Sequence, residues 1–183
     1  MITTDSTKAS IALQQGDLVV LKTDTIYGIL ASAKIQRAVD KLYAAKQRDP
    51  RKSCILLVAN IHDIPNLTDE HRTTYLELCK KRPTTIVAPV PRDYLPHLKR
   101  QDNTLAFRLV KQPELMSVLD ATGPLLAPSA NIEGHEPAEN IEQAVSYFGD
   151  TVAVYVDSGP ITNSLPSKII AINDDDEIEI IRD

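Results

Sequence analysis

Long apolar runs are what this 183-residue chain most plainly lacks. No stretch approaches the roughly 20 consecutive apolar residues that a membrane-spanning helix requires. The opening Met-Ile-Thr-Thr-Asp-Ser has neither a basic n-region nor an apolar h-region. The expectation is a cytoplasmic protein with no membrane partner. Cysteine is scarce: Cys54 and Cys79 fall in segments that read as a strand and a helix, which points to buried thiols in a reducing compartment rather than a disulfide. The histidines His62, His71, His97 and His135 are scattered at spacings that match no metal motif, so no metal site built from side chains is expected. Glycine-rich nucleotide motifs are missing as well. Neither Gly-x-Gly-x-x-Gly nor Gly-x-x-x-x-Gly-Lys-Ser/Thr occurs, which argues against a dinucleotide-binding fold and a P-loop enzyme. Any nucleotide must be held by side chains and strand-end backbone.

What is present suits one domain spanning 1–183, with 43% hydrophobic and 25% charged residues and therefore material for a sizeable core. The net charge is −5, with acidity concentrated in Asp174-Asp175-Asp176-Glu177, while Lys46 to Lys52 and Lys80 to Arg82 are basic. That balance disfavours a general nucleic-acid coat and leaves direct RNA binding a weak expectation. A local basic pocket for a small anion fits better.

Periodicity sets out alternating helices and strands. Ser10 to Gln15 reads as the end of a helix stopped by Gly16, and Asp17 to Leu21 as a strand. Ile35, Ala38, Val39, Leu42 and Tyr43 lie at helical spacing, so Lys46 falls at a helix C-terminus. Cys54 to Val58 is an apolar run; Asp69 to Lys81 is a helix burying Tyr75, Leu76 and Cys79 and ended by Pro83. Thr84 to Val90 and Thr104 to Val110 read as strands, Pro113 to Thr122 as a helix, and Leu125 to Ala127 as a short buried strand. Asn140 to Phe148 is a helix with a capping box at Asn140 and Gln143 and a stop at Gly149. Val152 to Val156, Ile169 to Ile172 and Ile178 to Ile181 complete the strands. The pattern predicts an α/β fold, a single-domain twisted mixed sheet with flanking helices and a cleft at the strand ends.

Four polar stretches border these apolar runs: Leu21 to Leu30, read as a site loop; Lys46-Gln47-Arg48 with Lys52; Pro128-Ser129-Ala130-Asn131; and Pro166-Ser167-Lys168. Thr23-Asp24-Thr25 is good turn chemistry, and Gly28 is a candidate for backbone that other residues avoid. A cation at a helix C-terminus is the ordinary macrodipole pattern. Yet Lys46, Arg48, Arg51 and Lys52 fall within seven residues, a repulsion more easily accepted with a polyanion among them. Arg108 stands inside Leu-Ala-Phe-Arg-Leu-Val, either facing outward on an alternating strand or projecting into the cleft as a fork for a carboxylate. Ser129 is not in a Gly-x-Ser-x-Gly elbow and has no identifiable base, so it reads as a hydrogen-bonding group and not a nucleophile. The segments 46–52 and 157–167 are the polar candidates for closing the cleft.

Together these residues resemble the YrdC-like family, the threonylcarbamoyl-AMP synthases that act in threonylcarbamoyladenosine modification of tRNA. The resemblance runs from about Gly16 to Ile172. The family's Pro-Thr-Asp/Glu-Thr-x-Tyr-Gly-Leu corresponds to Lys22-Thr23-Asp24-Thr25-Ile26-Tyr27-Gly28-Ile29, and its Lys-x-Arg-Pro-x-x-Lys/Asn to Lys46-Gln47-Arg48-Asp49-Pro50-Arg51-Lys52. Its Ala-Val-Arg is Ala106-Phe107-Arg108, its Ser-x-Asn is Ser129-Ala130-Asn131, and its Ser-Thr-Ile/Val is Ser167-Lys168-Ile169. The chain departs from the pattern at Lys22, at Asp49, at Thr84-Thr85 where Gly-Pro is usual, at Glu133 where a serine is usual, at Asp157-Ser158-Gly159 and at Lys168.

The resemblance implies the short single-domain form of a nucleotidyltransferase that condenses L-threonine, bicarbonate or CO2, and ATP into threonylcarbamoyl-AMP and pyrophosphate. It implies Lys46 and Arg48 as catalytic residues; Lys46, Arg48, Lys52, Ser129, Asn131 and Ser167 at ATP; and Thr23 and Arg108 at threonine. Magnesium would arrive on the ATP phosphates, and a tRNA threonylcarbamoyl transferase would take the product. The competing expectations are a non-catalytic module of the same shape that binds RNA or a nucleotide, and a relative that makes another carbamoyl adenylate.

Overall fold

Leu18 to Leu21 show why the strands read as unbroken apolar runs. All four are buried, Leu18 and Val20 in one hydrophobic core and Val19 and Leu21 in a second, because the sheet is covered on both faces. The computed structural model describes residues 1–98, 100, 102–161, 167–173 and 175–183. Its elements in chain order are β1 (Ile2–Thr3), α1 (Ser6–Gln14), β2 (Val19–Lys22), β3 (Tyr27–Ser32), α2 (Gln36–Lys46), β4 (Leu56–Val58), α3 (Asp69–Lys81), β5 (Thr84–Pro89), β6 (Thr104–Leu109), α4 (Pro113–Thr122), β7 (Leu125–Leu126), α5 (Ile141–Phe148), β8 (Val154–Val156), β9 (Lys168–Ile172) and β10 (Ile178–Arg182).

The strands form one sheet in the order β1-β8-β2-β3-β7-β4-β6-β5-β9-β10. Pairing is mixed: β4 runs parallel to β6 and β5 parallel to β9, whereas β2–β3, β5–β6 and β9–β10 are antiparallel. Helices α2, α3 and α5 bring Leu42, Tyr75 and Phe148 to one face, and α1 and α4 bring Leu13 and Leu119 to the other. This is the mixed α/β sheet with flanking helices that periodicity predicts. Among the described residues no helix is long and apolar enough to cross a membrane.

The differences have local causes. Helix α1, whose end the sequence places at Ser10 to Gln15, starts at Ser6, where the Asp5 carboxylate caps it by accepting from the Thr7 amide at 2.9 Å. Strand β1 has only two residues, too few for a period-2 signal. In α5 the Asn140 side chain accepts from Gln143 N at 2.9 Å, but Gln143 Oε1 reaches Glu139 N at 3.0 Å, so the cap is one-sided. The expected site loop at Leu21 to Leu30 shrinks to a turn at residues 23–26, closed by Thr23 N donating to Ile26 O at 2.9 Å. The remainder belongs to the end of β2 and to β3, which is buried at every position between β2 and β7. Gly28 therefore sits in a strand. What it supplies is room: a Cβ there would lie 3.2 Å from Thr23 Cγ2 and 3.4 Å from the Pro128 carbonyl.

Candidate functional site

The turn between β2 and β3 is organised by Thr23. Its hydroxyl donates to Ile26 O at 2.7 Å and accepts from the Thr25 and Ile26 amides at 3.3 Å, a local arrangement natural to threonine in turns. That holds Asp24 and Thr25 toward β6, where Arg108 waits. Arg108 is 6% exposed, so of its two sequence readings the inward one is observed. Nη1 donates to Asp24 Oδ1 at 3.3 Å and Thr25 Oγ1 at 3.0 Å, Nη2 to Ser167 Oγ at 3.1 Å, and Nε to Thr85 Oγ1 at 3.3 Å. Burial pushes the Asp24 carboxyl up, while the Arg108 guanidinium pulls it back down.

The loop after β7 lies across the start of β3. Ile29 N donates to Pro128 O at 3.0 Å and Ala130 N to Tyr27 O at 2.8 Å. Beneath this loop ends α2, and its last residue, Lys46, is 2% exposed. Lys46 Nζ donates to Ser129 O at 2.5 Å, Asn131 O at 2.6 Å and Asn131 Oδ1 at 3.3 Å. Burial, together with the nearby Arg48 charge, pulls the Lys46 ammonium down to about 8. Ser129 Oγ donates in turn to Asn131 Oδ1 at 2.5 Å, and Asn131 Nδ2 to His135 O at 2.7 Å. The loop is thus fixed by a cation from below and leaves Ser129 at the surface of the cleft.

Thr23, Thr25, Arg108, Ser129, Ser167 and Arg182 line one cleft of about 220 Å³. Four of the eight sequence candidates therefore converge: Thr23, Arg108, Ser129 and Ser167. Lys46 and Asn131 stand behind the cleft wall as its support. Arg48 and Lys52 lie on the polar segment that follows α2. There Arg48 Nη2 donates to Ser53 O at 3.0 Å, while its buried Nε has no hydrogen-bond partner among the described residues. Lys52 pairs with Glu133, and Arg51 pairs with Asp49 at 2.8 Å. The polyanion inferred from charge density is thus partly supplied from within, by two carboxylates. Pro166 and the 162–166 part of the 157–167 segment lie outside the described residues.

Two participants escape sequence reasoning. Arg182 reaches Ser167 O with Nη2 at 2.7 Å because the register of β10 against β9 shifts between Ile180 and Arg182, an irregularity that re-aims a side chain and leaves no trace in composition. Thr85 holds Ser167 Oγ at 3.0 Å as well as Arg108. Its signal was the Thr84-Thr85 pair standing where the family has Gly-Pro.

Known proteins resemble this chain over most of its length. The Sua5/yciO/yrdC family model, described as telomere recombination, matches residues 11–183. A Mycobacterium tuberculosis (strain H37Rv) protein provisionally named a threonylcarbamoyl-AMP synthase is 35% identical over 163 residues, which is 87% of this chain and 75% of that one. The threonylcarbamoyl-AMP synthase of Acinetobacter baumannii (strain AYE) is 29% identical over 180 residues, 93% of this chain and 95% of its own length. The crystal structure of P. abyssi Sua5 complexed with L-threonine aligns with a TM-score of 0.76 at 26% identity, covering 93% of this chain and 54% of that one. This chain therefore spans about half the length of that Sua5 chain. With the matched span reaching from the first helix to the last strand, the chain belongs to the Sua5/yciO/yrdC family.

Proposed function

We propose that this protein is an L-threonylcarbamoyladenylate synthase, a nucleotidyltransferase that condenses L-threonine, bicarbonate or CO2, and ATP into threonylcarbamoyl-AMP and pyrophosphate. The single observation that carries the reading is the convergence of Thr25, Arg108, Ser129 and Ser167 on one cleft whose wall is set by Lys46. The synthase names of its relatives supply the chemistry. In that chemistry the threonine amine attacks CO2 and loses a proton to give a carbamate. A carbamate oxygen then attacks the α-phosphorus in line, and the bond to the β-phosphate oxygen breaks to release pyrophosphate.

The reaction brings three anions together, so the protein's task is placement and neutralisation. Arg108 and Thr23 form the threonine end: the guanidinium, oriented by Asp24, Thr25, Thr85 and Ser167, would form its fork to the amino-acid carboxylate by exchanging the 3.3 Å contact to Asp24 Oδ1 for it. Ser129 and Ser167 form the nucleotide end, with Asn131 bracing Ser129 from behind the cleft wall. Arg48 and Lys52 meet phosphate charge, the buried Arg48 Nε having no hydrogen-bond partner among the described residues. Lys46 contributes charge from beneath the Ser129–Asn131 loop and holds the loop's carbonyls in position. Magnesium would enter as part of the ATP substrate and would supply neutralisation of charge developing on the phosphates.

In this reading the chain is one domain acting in the cytoplasm, and a tRNA threonylcarbamoyl transferase consumes its product. The test is pyrophosphate release from ATP by the purified chain, with threonine and bicarbonate omitted in turn and serine offered in place of threonine. Release that requires both co-substrates and prefers threonine supports the synthase. ATP binding without release under any combination would replace it with a nucleotide-binding module.

A further inference from the structure

Glu133 stands where the resemblance expects a serine, and the structure gives its carboxylate two partners on one segment. Glu133 Oε1 accepts from Lys52 Nζ, and Oε2 accepts from the Asp49 amide at 2.9 Å. The Glu133 amide in turn donates to Lys46 O at 2.9 Å. Three links therefore clamp the loop after Asn131 to the segment 46–52. The other carboxylate of this cluster, Asp49, is occupied by Arg51 through Nε at 3.1 Å and Nη2 at 2.8 Å. The charged side chains around Glu133 are Lys46 at the end of α2, Arg48 and Lys52 on the segment that follows, and the Asp49–Arg51 pair of that same segment. Both partners of the Lys52–Glu133 pair meet solvent, with side chains 57% and 27% exposed, so the pair is weak enough to be exchanged.

We propose that Glu133 is an internal counter-anion: it holds the basic segment in place while the cleft is empty, and the polyphosphate of the nucleotide draws Lys52 away from it on binding. The inference deepens the ATP reading above and rests on it. Glu133 is a positioning residue in this scheme, since it acts through Lys52. Its negative charge sets a threshold that a ligand must exceed. A polyphosphate carries several charges and exceeds it; a neutral nucleoside gains nothing from Lys52 and leaves the pair closed.

The experiment is calorimetric titration of the full chain, as wild type, Glu133→Gln, Lys52→Met and the double variant, with ATP, tripolyphosphate and adenosine. Glutamine keeps an acceptor for the Asp49 amide and removes only the charge. Glu133→Gln should bind ATP and tripolyphosphate roughly two- to fivefold more tightly, the range expected for release from an exposed ion pair. Adenosine affinity should stay unchanged, and the gain should vanish when Lys52 is methionine. Equal or weaker polyphosphate binding by Glu133→Gln, or a gain that survives Lys52→Met undiminished, would overturn the counter-anion. The two readings fail separately. Wild-type protein that binds tripolyphosphate but not ATP sinks the nucleotide reading and leaves Glu133 to be judged on tripolyphosphate. ATP binding indifferent to Glu133→Gln sinks the counter-anion alone, and a wild type that binds neither contradicts both.

Discussion

Two cationic regions of this molecule are built on opposite terms. Arg108 is 6% exposed and has polar partners at Nε and both Nη atoms, drawn from the 23–26 turn, β5 and Ser167. Lys52, 57% exposed in its side chain, leans on one carboxylate. Burial explains the contrast. A guanidinium inside the fold must find partners, because an unpaired buried charge is costly, so its geometry is fixed before any ligand arrives. A cation at the surface loses little when its pair breaks, so it can rearrange around one. The first arrangement suits recognition of a small ligand of constant shape; the second suits a polyphosphate that enters and leaves with altered charge. Lys46, 2% exposed and donating to three oxygens of the Ser129–Asn131 loop, belongs with Arg108.

The largest break in this comparison is Arg108→Ala. It leaves the partly buried Asp24 carboxyl without its cation, and removal of one partner from such a pair costs about 3 kcal/mol. Denaturant unfolding should show that loss, and pyrophosphate release should fall by more than about a hundredfold as the preorganised fork disappears. Lys46→Met comes next. It deprives the Ser129 and Asn131 carbonyls of their shared donor at a cost of about 2 kcal/mol, and ATP turnover should drop at least about tenfold with the fold retained.

Gly28→Ala sharpens the packing side of the argument. The added Cβ would press on Thr23 Cγ2 at 3.2 Å and Leu30 Cδ1 at 3.3 Å. Overpacking of this kind costs about 1–2 kcal/mol. A variant as stable as wild type would show that the turn has slack. The smallest effect is in pH. Burial and the Arg48 charge bring the Lys46 ammonium down to about 8, so rising pH through that range takes its charge and one of its three donors from the Ser129–Asn131 loop. Turnover should fall roughly twofold between pH 7 and pH 8 and further beyond, and Lys46→Met should be flat across that window.

Much of this was legible from residue order alone. Alternation of strand and helix, and apolar runs buried on both faces, gave the mixed sheet; Leu56, Leu57 and Val58 are typical, all buried and divided between the two cores. Ser129 and Ser167 stand out beside apolar runs and Arg108 inside one, and the family resemblance assigns them, with Thr23, to the site. What could not be read is contact across the sheet. That Lys46 spends its charge on two backbone carbonyls and an amide oxygen depends on where residue 131 lies relative to the end of α2, a long-range fact without periodic signature. Arg182 enters the cleft through a register shift, and Glu133 shows its partners only once two loops are adjacent. Gly28 was read as a conformational device, yet its reason is crowding by Thr23 and Pro128.

The measurement that tests the division of labour most directly is titration of Arg108→Lys with L-threonine and with ATP, each against wild type. Lysine keeps the charge and loses the planar fork. The account predicts threonine affinity lowered by about tenfold or more with ATP affinity within about twofold of wild type. Equal losses for both ligands, or loss of ATP alone, would contradict the assignment of the buried guanidinium to threonine and of the 46–52 segment to the nucleotide.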